Sequence, residues 1–200
     1  MRADWVGSAL PPRPEAPDAS ALPASLVADL RTDHAGESGA VMIYRGILAT
    51  TGDPAVKIFA QAHLAAEAGH LAAIELLLAP RHRSWLLPLW RAAGWLTGAL
   101  PAVLGPRAVY ATIGAVETFV DHHYAEQIDA IDRLDPARVQ SSLQALRAQL
   151  NSFRADEVEH RDDAAARLDR NAAPPSLLLR LWTWAVGAGS RGAVKISHWI

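Results

Sequence analysis

The chain has 200 residues, a formal net charge of -2 and no cysteine. This length is enough for one domain with a sizeable core, and the balanced charge without a basic stripe excludes nucleic acid as the expected partner. The absence of cysteine excludes disulfides, thiolate zinc sites and cysteine-bound iron–sulfur clusters. Any metal must be held by histidine, aspartate or glutamate, a ligand set that suits iron, manganese or zinc.

Residues 1–24 are predicted to form a flexible N-terminal arm. Prolines stand at positions 11, 12, 14, 17 and 23, and no apolar run there is long enough for a secretory signal or a spanning helix. Residues 25–200 are predicted to form one all-α domain, because apolar residues recur at helical spacing and no alternating strand pattern is convincing.

Four long helices and a last apolar helix are predicted in this domain. Ser25 is predicted as the N-cap of the first helix, and Asp53 followed by Pro54 is typical of the start of the second. The predicted helices cover about 25–49, 54–78, 106–134 and 135–171, and the last begins at about Ser176.

Each long helix has an apolar seam that is interrupted by one carboxylate. These carboxylates are Glu37, Glu67, Glu117 and Glu157. A lone glutamate among apolar side chains is costly unless it is paired, protonated or bound to a cation. One such glutamate on each of four helices indicates a shared partner.

Two of the glutamates begin the same short motif. His70 follows Glu67 by three residues and His160 follows Glu157 by three, so each pair lies about 60° apart around its helix and can reach one point. A single glutamate, a Glu-x-x-His pair, a single glutamate and a second pair form the ligand set of ferritin-like di-iron carboxylate bundles. Four carboxylates with two neutral imidazoles balance two ferrous ions. The alternative is that the Glu–His pairs are buried for structure alone.

Four stretches are similar to motifs of the demethoxyubiquinone hydroxylase family. They are DHAGESGAVMIYRG (33–46), EAGHL (67–71), AVETFVDHHYAEQI (115–128) and DEVEHRDDA (156–164). The tail GAGSRGAVKIS (187–197) also resembles the family, so the similarity covers nearly the whole chain after residue 25. Two departures, Ala66 in place of a second acid and Ile47 in place of a polar residue, leave open a paralogue with another lipid substrate.

The resemblance implies a fold, a reaction and a site. The fold is an all-α, ferritin-like four-helix bundle with additional apolar, membrane-interfacial helices. The reaction is hydroxylation of the ring of a demethoxyubiquinol or demethoxyubiquinone in ubiquinone biosynthesis, by an O2-dependent di-iron monooxygenase of the 3-demethoxyubiquinol 3-hydroxylase type. The cofactors are two Fe ions, with O2 as co-substrate and NADH or a quinol as the electron source. The implied iron ligands are Glu37, Glu67, His70, Glu117, Glu157 and His160.

The resemblance also implies a role for His123 and Tyr124, between the quinone and the irons, in proton or electron transfer. Tyr124 follows Glu117 by seven residues, which is two turns along the same helix face. The alternative is that Tyr124 is packed in the seam with its hydroxyl bonded to a ligand carboxylate.

Further polar residues lie close to these motifs. His34 and His63 each precede a predicted ligand by about one turn, and hydrogen bonding to a ligand is expected of both rather than metal binding. His122 is expected to face solvent. The candidates for orienting the ligand imidazoles are Asp33, Asp121 and Asp156.

Two apolar segments, about 84–106 and 176–197, contain most of the tryptophans and carry arginines. Their uncharged runs are shorter than the roughly 20 apolar residues that a spanning helix needs. Tryptophan beside arginine is typical of segments that lie at lipid-headgroup depth. The segments therefore predict a peripheral membrane protein. The alternative is that they only cap the core of the bundle.

The predicted location is the cytoplasmic face of a bacterial inner membrane, or the matrix side of the mitochondrial inner membrane in a eukaryote. The predicted partners are a lipid-tailed quinone and the membrane surface, and an accessory lipid-binding protein and a homo-oligomer stay open. Two rival functions remain: a ferritin-like iron-binding or peroxide-scavenging protein without a quinone substrate, and a metal-free, membrane-associated bundle.

Overall fold

The computed structural model describes residues 22–134, 141–169 and 176–200, which form six α-helices and a short 3-10 turn at Pro80–His82. The helices are α1 (Ala24–Thr50), α2 (Pro54–Leu77), α3 (Leu87–Leu104), α4 (Pro106–Asp132), α5 (Ser141–Asp169) and α6 (Leu177–Trp199). No strand occurs in these ranges, so the all-α prediction is confirmed. Most of the predicted N-terminal arm lies outside the described residues, as do 135–140 and 170–175.

Of the two predicted capping residues, Asp53 is confirmed and Ser25 is not. Asp53 accepts hydrogen bonds from the backbone amides of Ala55 and Val56, at 2.8 and 3.0 Å, and caps α2 as predicted. Ser176 accepts one from the amide of Leu179 at 3.2 Å and caps α6. The prediction for α1 was wrong, because Ser25 lies inside the helix. The N-cap is Pro23, whose backbone is extended with a ψ of 144°, and α1 starts at Ala24.

Helices α1, α2, α4 and α5 form a four-helix bundle with two apolar clusters. The first cluster includes Leu30, Ile74, Ile128 and Phe153, one residue from each helix. The second likewise draws on all four helices and includes Ile47, Phe59, Ile113 and Ala164. In every helix, the predicted glutamate ligand lies in sequence between the residues of the two clusters. The bundle therefore places its four glutamates at one level, between two apolar layers.

Helix α3 packs against α1 at very short distance because glycines line the crossing. A Cβ atom built on Gly98 would lie 1.9 Å from the carbonyl oxygen of Ile43, and one on Gly94 would lie 2.4 Å from that of Gly39. Only glycine allows this approach. Gly105, with a φ of 104°, then turns the chain into α4. The glycines of both helices hold α3 flat against the bundle.

Helix α6 lies against α1 and α4. The indole Nε1 of Trp182 donates a hydrogen bond of 2.8 Å to Thr112 Oγ1 on α4, and Arg31 Nη1 on α1 donates one of 3.1 Å to the carbonyl of His198. These contacts fix both ends of α6. Helices α3 and α6 are the accessory apolar helices of the prediction. Within the described ranges, no helix has the length and apolar character needed to cross a membrane.

Candidate metal centre

The bundle brings the six predicted ligands together in its interior. Helix α1 supplies Glu37, α2 supplies Glu67 and His70, α4 supplies Glu117, and α5 supplies Glu157 and His160. Every one of them is buried, and Glu67, Glu117 and Glu157 are each only 1% exposed. Glutamate is almost never buried to this extent unless it is paired.

The ligand atoms form two overlapping groups. In one, atoms of Glu37, Glu67, His70 and Glu157 all lie within 4.8 Å of one another. In the other, the same limit encloses atoms of Glu67, Glu117, Glu157 and His160. The two glutamates of the Glu-x-x-His motifs belong to both groups, so they are placed to bridge two cations. Each single glutamate and each histidine belongs to one group only.

The imidazoles face the glutamates of the opposite motif. His70 Nδ1 lies 3.2 Å from Glu157 Oε1, and His160 Nδ1 lies 3.2 Å from Glu67 Oε1. Each histidine is farther, 3.8 Å, from the glutamate of its own motif. The histidine and the glutamate of one motif are therefore not each other's nearest partners. It presents a carboxylate and an imidazole to a shared centre between α2 and α5.

The cluster fits a pair of cations by two observations. Five buried atoms of the predicted ligands make no hydrogen bond of normal geometry among the described residues, namely Glu37 Oε2, Glu67 Oε1, Glu157 Oε1, His70 Nδ1 and His160 Nδ1. These atoms all face the centre. Buried polar atoms rarely stay unpaired, and oxygen and imidazole nitrogen donors without sulfur suit iron or manganese.

The pKa values of the predicted ligands also indicate that the cluster favours positive charge. Burial, followed by the charges of the neighbouring glutamates, raises the pKa of Glu37 and of Glu117 well above the usual range. Burial opposes protonation of His70, but the carboxylates of Glu157 and Glu67 raise its pKa to about 11. Without metal ions, these raised pKa values mean that the site binds protons, which reduce its negative charge. Divalent metal ions would compensate the same negative charge.

Hydrogen bonds outside the cluster hold several ligands in place. Asp156 Oδ2 lies 2.9 Å from His70 Nε2. Of the three candidate aspartates, Asp156 is therefore the one that contacts the imidazole of a predicted ligand. The tyrosines on α1 and α4 donate crosswise: Tyr44 bonds Glu117 Oε1 at 2.9 Å, and Tyr124 bonds Glu37 Oε1. The hydroxyl of Tyr124 thus has the contact that the packed alternative predicts.

The other two aspartates have different partners. Asp121 accepts hydrogen bonds from Arg154 and Arg161, at 2.7 and 2.8 Å, and does not touch an imidazole ligand. Asp33 Oδ1 lies 3.0 Å from His123 Nε2 and accepts a 2.6 Å hydrogen bond from Gln127 Nε2. Sequence alone could not separate the three, because the choice depends on which helices face each other.

The additional histidines also differ from one another. The ring of His63 stacks on that of His160, with centroids 4.2 Å apart, and His63 Nδ1 lies 3.3 Å from the hydroxyl of Tyr44. Its Nε2 lies 3.2 Å from Asp163 Oδ2, so His63 touches a predicted ligand by ring stacking and not by the hydrogen bond that was predicted. His34 contacts Glu75 at 3.4 Å instead of a ligand, so the prediction for His34 was wrong. His34 points to the outer side of α2, where Glu75 lies. His122 is exposed, as predicted.

A cavity of about 460 Å³ reaches the ligand cluster from the side of α3 and α6. All four glutamate ligands line it, and so do His123 and Tyr124, whereas the two histidine ligands do not. The remaining walls are largely apolar and come from α1 and α4 on the inner side and from the accessory helices on the outer side, with Trp90 on α3 and Trp182 on α6. A cavity of this size suits a small organic ring. It opens on the carboxylate side of the cluster.

Sequence reasoning missed the role of Tyr44. A signal was present, because Tyr44 follows Glu37 by seven residues and Tyr124 follows Glu117 by the same interval. This repeated spacing relates α1 to α4. Gln127 was also missed, and one helical turn separates it from His123 on α4.

The chain matches known proteins over most of its length. Residues 24–197 match the family described as ubiquinone biosynthesis protein COQ7. The chain is 38% identical over 172 residues to the 3-demethoxyubiquinol 3-hydroxylase of Rhodospirillum rubrum, a match that covers 84% of this chain and 76% of the relative. It is 36% identical over 171 residues to the mitochondrial NADPH-dependent 3-demethoxyubiquinone 3-hydroxylase of Mus musculus, with 84% and 75% covered.

The fold and the site define an all-α, ferritin-like bundle with a buried carboxylate–histidine cluster at the end of a cavity. Together with the extent of the match, this assigns the family. The chain belongs to the COQ7 family of ubiquinone biosynthesis proteins, and the family resemblance of its motifs is confirmed.

Proposed function

We propose that this protein is a di-iron monooxygenase that hydroxylates the ring of a demethoxyubiquinol or demethoxyubiquinone in ubiquinone biosynthesis. The observation that carries the proposal is the cavity of about 460 Å³ that ends on four buried glutamates. The names of the relatives support the same substrate class. A cavity that leads to the metal ligands gives an organic ring direct access to the reacting centre.

The six predicted ligands would hold two iron ions, and Glu67 and Glu157 belong to both groups of ligand atoms. When bound, the ions supply the activation of O2 and the redox chemistry that an aromatic hydroxylation requires. The two histidines hold the side of the cluster that faces away from the cavity. Asp156 keeps the His70 imidazole in one tautomer and orientation.

His123 and Tyr124 are the proposed groups for proton and electron transfer. Both line the cavity, and the Tyr124 hydroxyl bonds Glu37, so this tyrosine contacts the ligand cluster and the substrate space at once. His123 is held by Asp33 at 3.0 Å, which fixes its ring beside the cavity. An imidazole can exchange protons near neutral pH.

The accessory helices are the proposed route for the lipid tail. They form the outer wall of the cavity and expose leucine and tryptophan to the surroundings. We place the protein at a membrane surface as a peripheral protein, on the cytoplasmic side of a bacterial inner membrane or the matrix side in mitochondria. An accessory lipid-binding protein and a second copy of the chain remain compatible partners. The mammalian relatives are named NADPH-dependent, and NADH or a quinol serves the same purpose in this proposal.

The rival function is iron binding or peroxide scavenging without a quinone. It uses the same six ligands but gives no purpose to a cavity walled by α3 and α6. A metal-free bundle is disfavoured by the five unpartnered buried atoms at the centre of the cluster.

Metal content and product formation together test the proposal. Purified protein is expected to hold about two irons per chain, the number that this ligand set binds. Glu117→Ala should lower the iron content and abolish formation of hydroxylated product from NADH and a short-tailed demethoxyquinone. Rapid peroxide consumption without any product would favour the scavenger, and full iron with full activity in Glu117→Ala would refute the site.

A further inference from the structure

One carboxylate of the cavity is not used by the metal cluster. Asp33 lies on α1, one turn before Glu37, and is 3% exposed. Its Oδ1 is bonded by His123 and Gln127, at 3.0 and 2.6 Å, while its Oδ2 is buried and has no partner among the described residues. A buried carboxylate oxygen without a donor is costly, so its position indicates a donor that comes from outside the protein.

A second unpartnered group lies at the same end of the cavity. Ser197 on α6 is 1% exposed, lines the cavity, and its hydroxyl has no partner among the described residues. The next residue, His198, contacts Asp29 at 3.6 Å, and Asp29 precedes Asp33 by one turn of α1. Arg31 holds the carbonyl of His198 as well. These contacts set Ser197 beside the turn of α1 that carries Asp33.

The hydrogen-bonding chemistry of Asp33 and Ser197 distinguishes a hydroquinone ring from a quinone ring. An ionised carboxylate only accepts hydrogen bonds, and a quinone ring offers only acceptors. A quinone carbonyl next to Asp33 Oδ2 would therefore be repelled. A hydroquinone offers hydroxyl donors, and a hydroxyl that donates to a carboxylate forms one of the stronger hydrogen bonds in proteins. The serine hydroxyl can donate to an oxygen of the same ring.

We propose that Asp33 selects the reduced, hydroquinone form of the substrate by accepting a hydrogen bond from a ring hydroxyl, with Ser197 as a second contact. This inference rests on the proposed function, and it deepens that function by naming the residue that recognises the reduced ring, the form in the name of the Rhodospirillum rubrum relative. Asp33 is then a specificity-determining residue, separate from the six metal ligands. His123 and Gln127 position it by holding its other oxygen.

Asp33→Asn is a sharp test because the amide keeps the acceptor that His123 and Gln127 use and replaces only Oδ2 by a donor. Asp121→Asn is the control, since it removes the same charge from a buried side chain on α4 that does not line the cavity. Ser197→Ala is a second variant that removes a contact without changing charge. Iron content and helical circular dichroism establish that each variant is folded and loaded.

The measurement is equilibrium dialysis of the full-length, ferrous iron-loaded protein without oxygen, against a short-tailed demethoxyhydroquinone and its dimethyl ether. Both probes are inert to ferrous iron, and only the first can donate a hydrogen bond. Wild type should bind the hydroquinone at least about tenfold more tightly than the ether, the effect of one charge-assisted hydrogen bond. Asp33→Asn should remove most of that preference, Ser197→Ala should weaken hydroquinone binding by about threefold, and Asp121→Asn should change neither.

The outcomes separate this inference from the proposed function. Equal binding of both probes by wild type, or an unchanged preference in Asp33→Asn, overturns the role of Asp33 while product formation still supports the hydroxylase. Absence of binding together with absence of product overturns the hydroxylase and, with it, this inference. A preference that Asp33→Asn alone abolishes supports the assignment.

Discussion

At the scale of single residues, the two glutamates without a histidine partner have the same surroundings. Glu37 accepts a hydrogen bond from Tyr124, and Glu117 accepts one from Tyr44, so each tyrosine reaches across to the opposite helix. The two tyrosines differ in one respect. Tyr124 lines the cavity and Tyr44 does not. Tyr44 can therefore serve as the control for the role of Tyr124, the tyrosine that faces the cavity.

The variants Tyr124→Phe and Tyr44→Phe distinguish a tyrosine that transfers protons or electrons from one that only holds a ligand carboxylate by a hydrogen bond. Each variant removes one hydrogen bond to a ligand carboxylate but leaves all six ligands in place, so both should still hold about two irons per chain at saturating iron. Only Tyr124→Phe should slow formation of hydroxylated product, by roughly a hundredfold, the lower end of what a positioned transfer group contributes. The measurement is single-turnover product formation with a short-tailed demethoxyquinone and NADH. Equal slowing in both variants would reduce Tyr124 to a supporting hydrogen bond.

Asp156 is expected to matter for metal affinity although it touches no metal. Asp156→Ala removes the 2.9 Å contact to His70, and loss of such a partner weakens metal binding by about 10- to 100-fold. Iron retention against a competing chelator measures this change. Asp162→Ala is the control on the same helix, since its carboxylate is exposed and bonds only Arg161 among the contacts seen. Identical retention in both variants would contradict the orienting role.

The sequence predicted which six side chains come together, because their spacing along each helix is set by local geometry. Glu67 and His70 must share a helix face whatever the rest of the chain does. The partners of Asp33, Asp121 and His34 were not predictable in this way, because each depends on the rotation of one helix against another. His34 shows the limit, since it lies one turn before Glu37 and still turns toward Glu75.

At the scale of elements, the crossing of α1 and α3 depends on glycine. Gly98→Ala would place a methyl group 1.9 Å from the carbonyl oxygen of Ile43, and backbone cannot move aside as a side chain can. The free energy of unfolding should fall by about 1–3 kcal/mol or more, the usual cost of overpacking. Urea unfolding followed by circular dichroism measures it.

Gly69→Ala is the control for this crossing. Gly69 is an exposed glycine within α2, and a Cβ atom there meets nothing within 4 Å. Its replacement by the better helix former should leave stability unchanged or raise it by up to about 1 kcal/mol. If Gly98→Ala unfolded at the same urea concentration as Gly69→Ala, the close α1–α3 contact would be refuted.

The elements also show which helix boundaries a sequence can provide. Asp53 and Ser176 cap α2 and α6 because an N-cap needs only a side-chain oxygen two or three residues before a free amide. At α1 the same rule pointed to Ser25, but the N-cap is Pro23, whose ψ of 144° is not helical and whose side chain makes no capping hydrogen bond. Glycine at the α1–α3 crossing was not recognised, because a close contact requires knowledge of the partner helix.

At the scale of the whole molecule, α3 and α6 separate the cavity from the surroundings. Their inner sides line the cavity, and their outer sides expose large apolar residues. The exposed residues include Leu89, Leu96, Leu100 and Val103 on α3, and Leu177, Leu178, Leu181 and Trp184 on α6. So large an apolar surface on a chain without a spanning helix in its described part favours docking onto a lipid surface.

Membrane docking through α6 is tested by comparing aspartate substitutions on α6 with the same kind of substitution on α2. Leu181→Asp with Trp184→Asp should weaken binding to liposomes of mixed neutral and anionic phospholipids by about tenfold or more, since each side chain contributes roughly 1.5–3 kcal/mol when it is buried in lipid. Ile58→Asp with Leu76→Asp is the control, because these residues are equally exposed but lie on α2, outside the wall formed by the accessory helices.

Co-sedimentation and activity together identify what the surface is for. The α6 variant should stay folded, keep its irons and act normally on a short-tailed demethoxyquinone in solution, because the cavity walls and the ligands are unchanged. Turnover of a long-tailed quinone embedded in liposomes should fall in parallel with liposome binding, since that substrate can enter only from the bilayer. The α2 variant should match wild type in all of these assays. Liposome binding that is absent from wild type, or equally lost in both variants, would exclude α6 as the docking surface.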